Sequence, residues 1–429
     1  MLTKLRIKNF KCLQDTGDLD IRPLTFLVGP NSSGKSSVLQ FLLMLRQTVD
    51  STDIENPLVT RNGWVELGAY PEFIFKGEKE RELTVEVAVT RQSDNGAADK
   101  SSLEAVFFYQ PETTVIRLRR SDVHTESGLH RHIQSRGNGE GYEATYSMKR
   151  AGKVVFSEPY VHLYKFYGTV SGAGAVSHDL SVTDLQRLVG LGHAIAVELR
   201  NTFYIGPLRG YPQRVYVTSG QAPQDVGIKG ERAVDVLWFI DRSRDKNLKR
   251  VFDEVRHWAK QLGIARNLHL DRMGENYYRL MVVDPATGME VNLADIGFGA
   301  SQALPIIIEC FYAPQGSAVL IEQPEIHLHP KAQSVLGDLF IEAAKDSDRT
   351  FIVETHSEHI LNRVCRRIAE RKITKEQVAI YYFKPGKDGT RIQRVTINDD
   401  GQYEKFPKGF FEEDLAEALE HLKAMQLAR

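Results

Sequence analysis

The stretch from Phe26 to Ser37, Phe-Leu-Val-Gly-Pro-Asn-Ser-Ser-Gly-Lys-Ser-Ser, constrains this chain more than any other. From Gly29 to Ser36 it reads G-x-x-x-x-G-K-S, with an apolar β-rich run (Leu24 to Val28) before it and an apolar helical run (Val38 to Leu45) after it. A strand, a glycine loop and a helix in that order form a phosphate-binding loop in its required setting. Gly29 and Gly34 allow the tight turn, and the backbone N–H groups from Asn31 through Ser32, Ser33 and Ser37 are placed to wrap a phosphate. Lys35 is expected to reach the outer phosphates and the Ser36 hydroxyl to join a Mg²⁺ shell, so ATP and Mg²⁺ are the expected ligands.

The chain has 429 residues, enough for two or three domains or one elaborated α/β domain with its own core. Its 55 Lys and Arg nearly balance 56 Asp and Glu, so no overall field selects nucleic acid or membrane. Three scattered cysteines, Cys12, Cys310 and Cys365, give neither a disulfide framework nor a thiolate metal site, which points to a reducing cytoplasm. No run approaches the ~20 apolar residues that span a bilayer, so no membrane partner is expected.

Residues 2 to 28 read as two strands joined by a polar loop. From Trp64 to about Tyr167 short alternating runs such as Leu83 to Thr90, Leu103 to Gln110, Thr114 to Leu118 and Tyr142 to Met148 predict a β-rich lobe inserted after the loop. Within it, His124 to Gly141 reads as a hairpin arm or mobile loop. Helical periods are expected over Thr183 to Arg200, Ala233 to Arg242 and Asn247 to Leu262, none long enough for an extended coiled coil. A buried strand and turn is expected at Phe203 to Gly210, and strands at Asn267 to Leu270 and Tyr277 to Val283. In the last third, strands at Val319 to Ile321, Thr350 to Val353, Val378 to Phe383 and Arg391 to Ile397 alternate with helices at Lys331 to Ala344 and Glu358 to Arg371. Ser357 is a natural cap for the second helix. Alternation of this kind implies a largely parallel sheet whose ligands bind at the carboxyl ends of its strands.

Two motifs fall at such ends. Glu322-Gln-Pro-Glu-Ile-His-Leu-His-Pro330 follows a buried strand, and a carboxylate there is suited to orient the metal shell opposite Ser36, the role expected of Glu322. Glu354-Thr-His-Ser357 places His356 at the tip of a neighbouring strand, where an imidazole reaches a γ-phosphate or a water.

Together with Leu5-x-Ile-x-Asn-Phe10, these motifs resemble the bacterial AAA-family ATPases with ABC-type heads, relatives of RecF, of the SMC heads and of the OLD-family ATPases. The ending, Asp400 to Glu412 with its Gly-Phe-Phe-Glu, looks like the uncharacterised C-terminal domain of one OLD-like branch. The resemblance implies a homodimer that sandwiches two ATP molecules, each P-loop facing the partner's signature sequence. Asp295-Ile-Gly-Phe-Gly-Ala-Ser-Gln302 stands where that signature belongs, with Gly299 and Ser301 addressing the nucleotide of the other copy. It departs from the usual Leu-Ser-Gly-Gly-Gln. Gln323 departs further, because this position in such families usually carries the glutamate that polarises the attacking water. An amide orients a water but cannot take its proton. Either Glu325 supplies the carboxylate, or hydrolysis is slow and ATP mainly holds the dimer together.

Other signals are weaker. His327, His329, His356 and His359 sit inside ATPase motifs and read as loop and switch positions rather than zinc ligands. Arg117, Arg119, Arg120, Arg131, His132 and Arg136 form a basic cluster that suits nucleic-acid phosphate or, with acids interspersed, a solvated face. Pro207-Leu-Arg209 and Gly227 to Glu231 resemble motifs of the OLD-like branch without an assigned chemistry. No acidic set of the kind that serves a TOPRIM nuclease follows Tyr382, so a nuclease or toxin is expected on a separate protein.

The expected fold is thus α/β, a P-loop ABC-type ATPase head with a β-rich N-terminal lobe and a short helical insertion. Its parts are an N-terminal ATPase lobe (1–182), a helical insertion (183–265), a C-terminal ATPase lobe with signature, acidic strand and histidine switch (266–397), and a tail (398–429). The expected function is a slow ATPase that dimerises around ATP and regulates a separate effector in anti-phage defence. The alternatives are a non-hydrolysing ATP-locked scaffold and a RecF-like DNA-repair protein.

Overall fold

The structure is a computed structural model that describes residues 1–53, 56–61, 63–92, 98–137, 141–148, 156–171, 192–218, 220–345 and 348–405. The expected helix before residue 192 and the tail from residue 406 on lie outside the described residues.

A six-stranded sheet carries the P-loop. In chain order its elements and their flanking helices are β1 (Leu24–Val28), α1 (Lys35–Asp50), β2 (Thr202–Ile205), α2 (Phe298–Tyr312), β3 (Ala318–Glu322), α3 (Pro330–Lys345), β4 (Thr350–Glu354), α4 (Glu358–Ala369), β5 (Val378–Lys384) and β6 (Arg391–Val395). The strand order is β2-β3-β4-β1-β5-β6, parallel throughout except for the antiparallel edge strand β6. Every residue of β1, β3 and β4 is buried. That is why these strands read as unbroken apolar runs: helices cover both faces, and only the end of each strand is free to be polar. β2 belongs to this sheet, so the 183–265 stretch contributes a core strand as well as helices.

The β-rich lobe is a ten-stranded antiparallel sheet. It starts from the N-terminal strand Leu2–Phe10 and continues through Leu83–Gln92, Ala98–Gln110, Val115–Thr125, Leu129–Ser135, Tyr142–Met148, Phe156–Tyr164 and Gly168–Ser171 as a meander. The described part of the His124 to Gly141 stretch is therefore a hairpin whose arms lie within the sheet, its turn falling between Thr125 and Leu129, and residues 138–140 lie outside the described residues. A third sheet of four strands, Tyr216–Val217, Asn267–Arg272, Tyr277–Val283 and Glu290–Asn292, leads into the signature segment.

Two apolar cores divide at the six-stranded sheet. One joins its Phe26, Ile321 and Val353 to α2, α3, α4 and the helices Ala233–Arg242 and Lys246–Gln261. The other joins its Leu27, Leu320 and Ile352 to α1 and the β-rich lobe. Alternate residues of single strands feed opposite cores, so the P-loop strand is fixed from both sides. No helix among the described residues is long and apolar enough to cross a membrane.

Candidate nucleotide site

The P-loop leaves β1 through Gly29, whose φ of +143° and close approach to β5 exclude any side chain: a Cβ there would lie 2.4 Å from the Phe383 carbonyl oxygen. The loop closes at Gly34, in the left-handed conformation, where α1 begins with Lys35. Lys35 is buried, and its ammonium donates to the carbonyl oxygens of Gly29 (3.0 Å) and Pro30 (2.8 Å). Burial lowers its pKa, and the charges of Glu354 and Glu325 oppose that shift.

The loop borders a cavity of about 360 Å³ lined by residues Asn31 to Ser37, with Lys11, Cys12, Gln323, Glu354 and His356 closing the sides. Parallel register brings these groups together. Glu322 and Glu354 are direct neighbours at the ends of β3 and β4, and Glu354 lies beside Leu27 of β1. The P-loop strand thus adjoins β4, with β3 one strand further away.

This order decides which acid meets Ser36. The Ser36 hydroxyl donates to Glu354 Oε1 at 3.0 Å. Glu322 instead accepts the Tyr204 phenol at 2.9 Å and does not line the cavity. Both carboxyls are buried. Glu322 is pushed up to about 7, first by burial and then by the charge of Glu354, and burial raises Glu354 as well. Glu354 Oε2 is buried without a hydrogen-bond partner. A buried acceptor left open beside a serine hydroxyl and a phosphate-type loop suits a divalent cation.

Gln323 lines the cavity with its backbone at a φ of +46°, held by its N–H donating to the Glu354 carbonyl at 2.8 Å. Glu325 is turned away from the cavity. It accepts the Thr355 hydroxyl at 2.9 Å and the His356 N–H at 2.6 Å, and burial raises its pKa. In this conformation Glu325 braces the segment that carries His356. The His356 imidazole lines the cavity, its pKa lowered by burial and by Lys35.

The signature segment lies apart from this cavity. Gly299 packs so closely on the loop after β3 that a Cβ would lie 2.8 Å from the His327 carbonyl oxygen, and the Phe298 and His327 rings meet edge to face at 4.8 Å. Ser301 donates to the Phe298 carbonyl of its own helix at 2.8 Å. Its hydroxyl is therefore engaged within α2.

Four further residues build the site without standing out as such in the sequence. Glu354 stood in plain view within Glu-Thr-His-Ser, at the end of an apolar run as Glu322 is. Lys11 and Cys12 follow the strand Leu2–Phe10 and reach the P-loop through the fold of the lobe; burial lowers the Lys11 pKa. Arg209, from Pro207-Leu-Arg, is buried, and its Nη2 donates to the carbonyls of Glu322 (2.7 Å) and Gln323 (3.3 Å). Its own carbonyl accepts the Gln302 side chain at 3.3 Å, linking β3 to α2. Burial lowers the Arg209 pKa to about 10 against the charge of Glu325.

The basic cluster is largely committed inside the lobe. Arg131 is fully buried and donates to the Tyr167 carbonyl, Arg119 pairs with Glu82, Arg120 with Glu104, Arg136 with Glu143, and His132 with Asp122.

Known proteins similar to this chain fall in one group. The family model described as "AAA ATPase domain" matches residues 1–102 and 235–361, more than half of the chain, and one described as "Protein of unknown function (DUF3696)" matches residues 373–420. An OLD nuclease of Thermus scotoductus is 23% identical over 408 residues, 90% of this chain. The chain spans 64% of the length of that relative. Among solved structures, an SMC head domain from Thermotoga maritima is 12% identical, with a TM-score of 0.39 over 92% of this chain and 99% of that one. An SMC head domain with an extended coiled coil, bound to the C-terminal domain of ScpA from Pyrococcus furiosus, is 12% identical with a TM-score of 0.43 over 99% of both chains. With its P-loop at the junction of β1 and α1 and acids at the ends of β3 and β4, the chain belongs to the AAA ATPase domain family.

Proposed function

We propose that this chain is a slow ATPase head that closes on a second copy around two nucleotides and passes the closed state to a separate effector. The observation that carries this reading is the meeting of Lys35, Ser36, Glu354, Gln323 and His356 around one cavity at the carboxyl ends of three adjacent parallel strands.

Bound Mg²⁺–ATP supplies the scissile phosphoanhydride and a divalent charge that draws electron density from it. The P-loop N–H groups hold the phosphates, and Lys35 exchanges its two carbonyl acceptors for them. Ser36 and Glu354 would hold the cation with their adjoining oxygens, and Glu322, next to Glu354 and pushed up to about 7, would stand behind them. Gln323 orients a water by hydrogen bonds. A base must still take the water's proton. Glu325 can do so only by leaving Thr355 and the His356 N–H, a movement that closure on a second copy would drive. His356 lines the same cavity, where its imidazole would hydrogen-bond the terminal phosphate. Gly299 and Ser301 would serve the partner's nucleotide, which requires Ser301 to turn from Phe298.

Steady-state phosphate release with Mg²⁺–ATP tests the reading on wild type, Lys35→Ala, Glu325→Ala and Gln323→Glu. Turnover in wild type, lost in Lys35→Ala, supports an ATPase; equal release from both removes it. If Glu325→Ala abolishes turnover and still binds ATP, Glu325 is the base. If only Gln323→Glu turns over, the chain is an ATP-locked platform.

The effector and a cytoplasmic role in anti-phage defence rest on the resemblance to OLD-type ATPases and on a relative named for a nuclease. Incubation of the purified chain with plasmid DNA checks the division of labour: intact DNA agrees with an effector on another protein, and cutting overturns it. Loss of phage protection in a Lys35→Ala strain checks the defence role.

A further inference from the structure

Far from the P-loop in sequence, the hairpin of strands Val115–Thr125 and Leu129–Ser135 gathers an acid and three imidazoles. Asp122 and His124 alternate along one strand and share a face, as do His130 and His132 on the other. The antiparallel register sets Asp122 opposite His132 and His124 opposite His130. The His124 and His130 rings stack with centroids 4.0 Å apart and planes 6° from parallel. One ligand atom from each of Asp122, His124 and His130 lies within 4.8 Å of the other two.

The carboxylate is already oriented. Asp122 is only 9% exposed, and its Oδ1 accepts from His132 Nδ1 at 2.7 Å and from His130 Nε2 at 3.3 Å. Its Oδ2 is buried without a hydrogen bond, the Arg120 guanidinium standing off at 3.8 Å. An open carboxylate oxygen beside two stacked imidazoles is a costly arrangement for an ornamental surface, because a buried acceptor loses its hydration and aromatic rings avoid face-to-face stacking.

We propose that Asp122, His124 and His130 form a binding site for a divalent transition-metal ion with the ligand preference of zinc. Two imidazole nitrogens and one carboxylate oxygen suit such an ion, whereas Mg²⁺ and Ca²⁺ take all-oxygen shells. Tetrahedral ligands with bonds of about 2.0 Å lie roughly 3.3 Å apart, so side-chain rotation closes the set on a backbone that the cross-strand register already holds. His132 fixes the carboxylate from its other oxygen, as an outer hydrogen bond commonly fixes a metal ligand. Three protein ligands leave a position for water or for a donor from a partner. The bound ion would pin the two arms of the hairpin together.

Calorimetric titration of Zn²⁺ into the full chain, stripped of transition metals and kept in excess Mg²⁺ without nucleotide, tests this. One Zn²⁺ per chain is expected, with binding weakened about tenfold or more in His124→Ala and in His130→Ala. The same stoichiometry is expected in Cys12→Ala, which removes the thiol at the P-loop. His124→Gln, at an exposed position, keeps the test open if an alanine variant folds poorly. A wild type that takes no Zn²⁺, or histidine variants that bind as wild type does, overturns the site. Co²⁺ substitution gives a second readout: loss of the tetrahedral visible band in the histidine variants is expected, and an unchanged band counts against the proposal.

Discussion

Two acids at the ends of β3 and β4 crowd each other, and only one of them touches Ser36. Burial and then the charge of Glu354 raise the Glu322 pKa, and burial raises that of Glu354 against the opposing hydrogen bond from Ser36. Replacing Glu354 with Gln keeps the shape and an amide oxygen for the Ser36 hydroxyl, and removes the carboxylate charge and one of its two oxygens. Phosphate release should fall about a hundredfold, with the chain still folded by circular dichroism. Turnover within about twofold of wild type would return the metal-orienting role to Glu322 alone. Glu309 tests burial away from the chemistry. It is fully buried on α2, accepts the Val226 N–H at 3.0 Å, and is pushed up to about 7 from 4.5. Between those values the folded chain holds a proton that the unfolded chain has released, so stability falls as pH rises from 4.5 to about 7 and is level above. The full effect is roughly 3 kcal/mol. Glu309→Gln, neutral at every pH, should lessen this slope in denaturation midpoints taken across the window, the remainder belonging to Glu322 and its raised neighbours; an unchanged slope would assign all of it to those groups.

At the scale of elements, Arg209 joins three of them. It leaves the end of β2, holds the two carbonyls that end β3, and accepts Gln302 of α2 at its own carbonyl. Arg209→Ala strips the donor from two carbonyls and should cost about 2 kcal/mol. Because Arg209 does not border the cavity, the maximal rate should fall while the Michaelis constant for ATP moves little, and Arg209→Lys should recover part of the rate. A rise in the Michaelis constant alone would make it a binding residue instead. This link also shows what sequence can carry. The strands of the P-loop sheet were legible because both faces are buried, which forces apolar runs such as Val319 to Ile321, and Ser357 was legible as a cap because its side chain accepts the Ile360 N–H. Strand order was not, since nothing local states that β4 lies between β3 and β1. Hence Glu322 was set opposite Ser36, where the fold puts Glu354, 318 residues away in the chain. The His124 to Gly141 stretch reads as a hairpin arm or mobile loop because its strands carry His124, His130 and His132 on one face and Arg131 on the buried one, so the apolar alternation is weak. Arg131 looked like part of a basic surface for the same reason, although its aliphatic stem and guanidinium are fully buried.

For the whole molecule, the proposed closure on a second copy has an exposed apolar surface to meet. Leu208 is 75% exposed, Tyr211 84% and Val217 62%. They are neighbours of the signature: the Tyr211 ring lies 5.1 Å from Phe298, and Val217 pairs with the exposed Tyr277 at the edge of the four-stranded sheet. From Tyr211 the ring contacts run through Phe298 to His327, on the loop that leaves Glu322 and Gln323. A partner seated on that surface would press on the segment holding Glu325 and on the start of α2 together. Closure and the catalytic rearrangement would then be one event. Burying Tyr211 and Leu208 is worth roughly 1.5–3 kcal/mol each, so replacing both with Ser should weaken association about a hundredfold or more. Light scattering on Gln323→Ala, which slows turnover, should report a dimer with Mg²⁺–ATP and a monomer without it. The same protein carrying Leu208→Ser and Tyr211→Ser should stay monomeric while still binding one ATP per chain. A dimer that survives both serines places the interface on another face, and a monomer at saturating ATP in every variant removes the closing head from the mechanism.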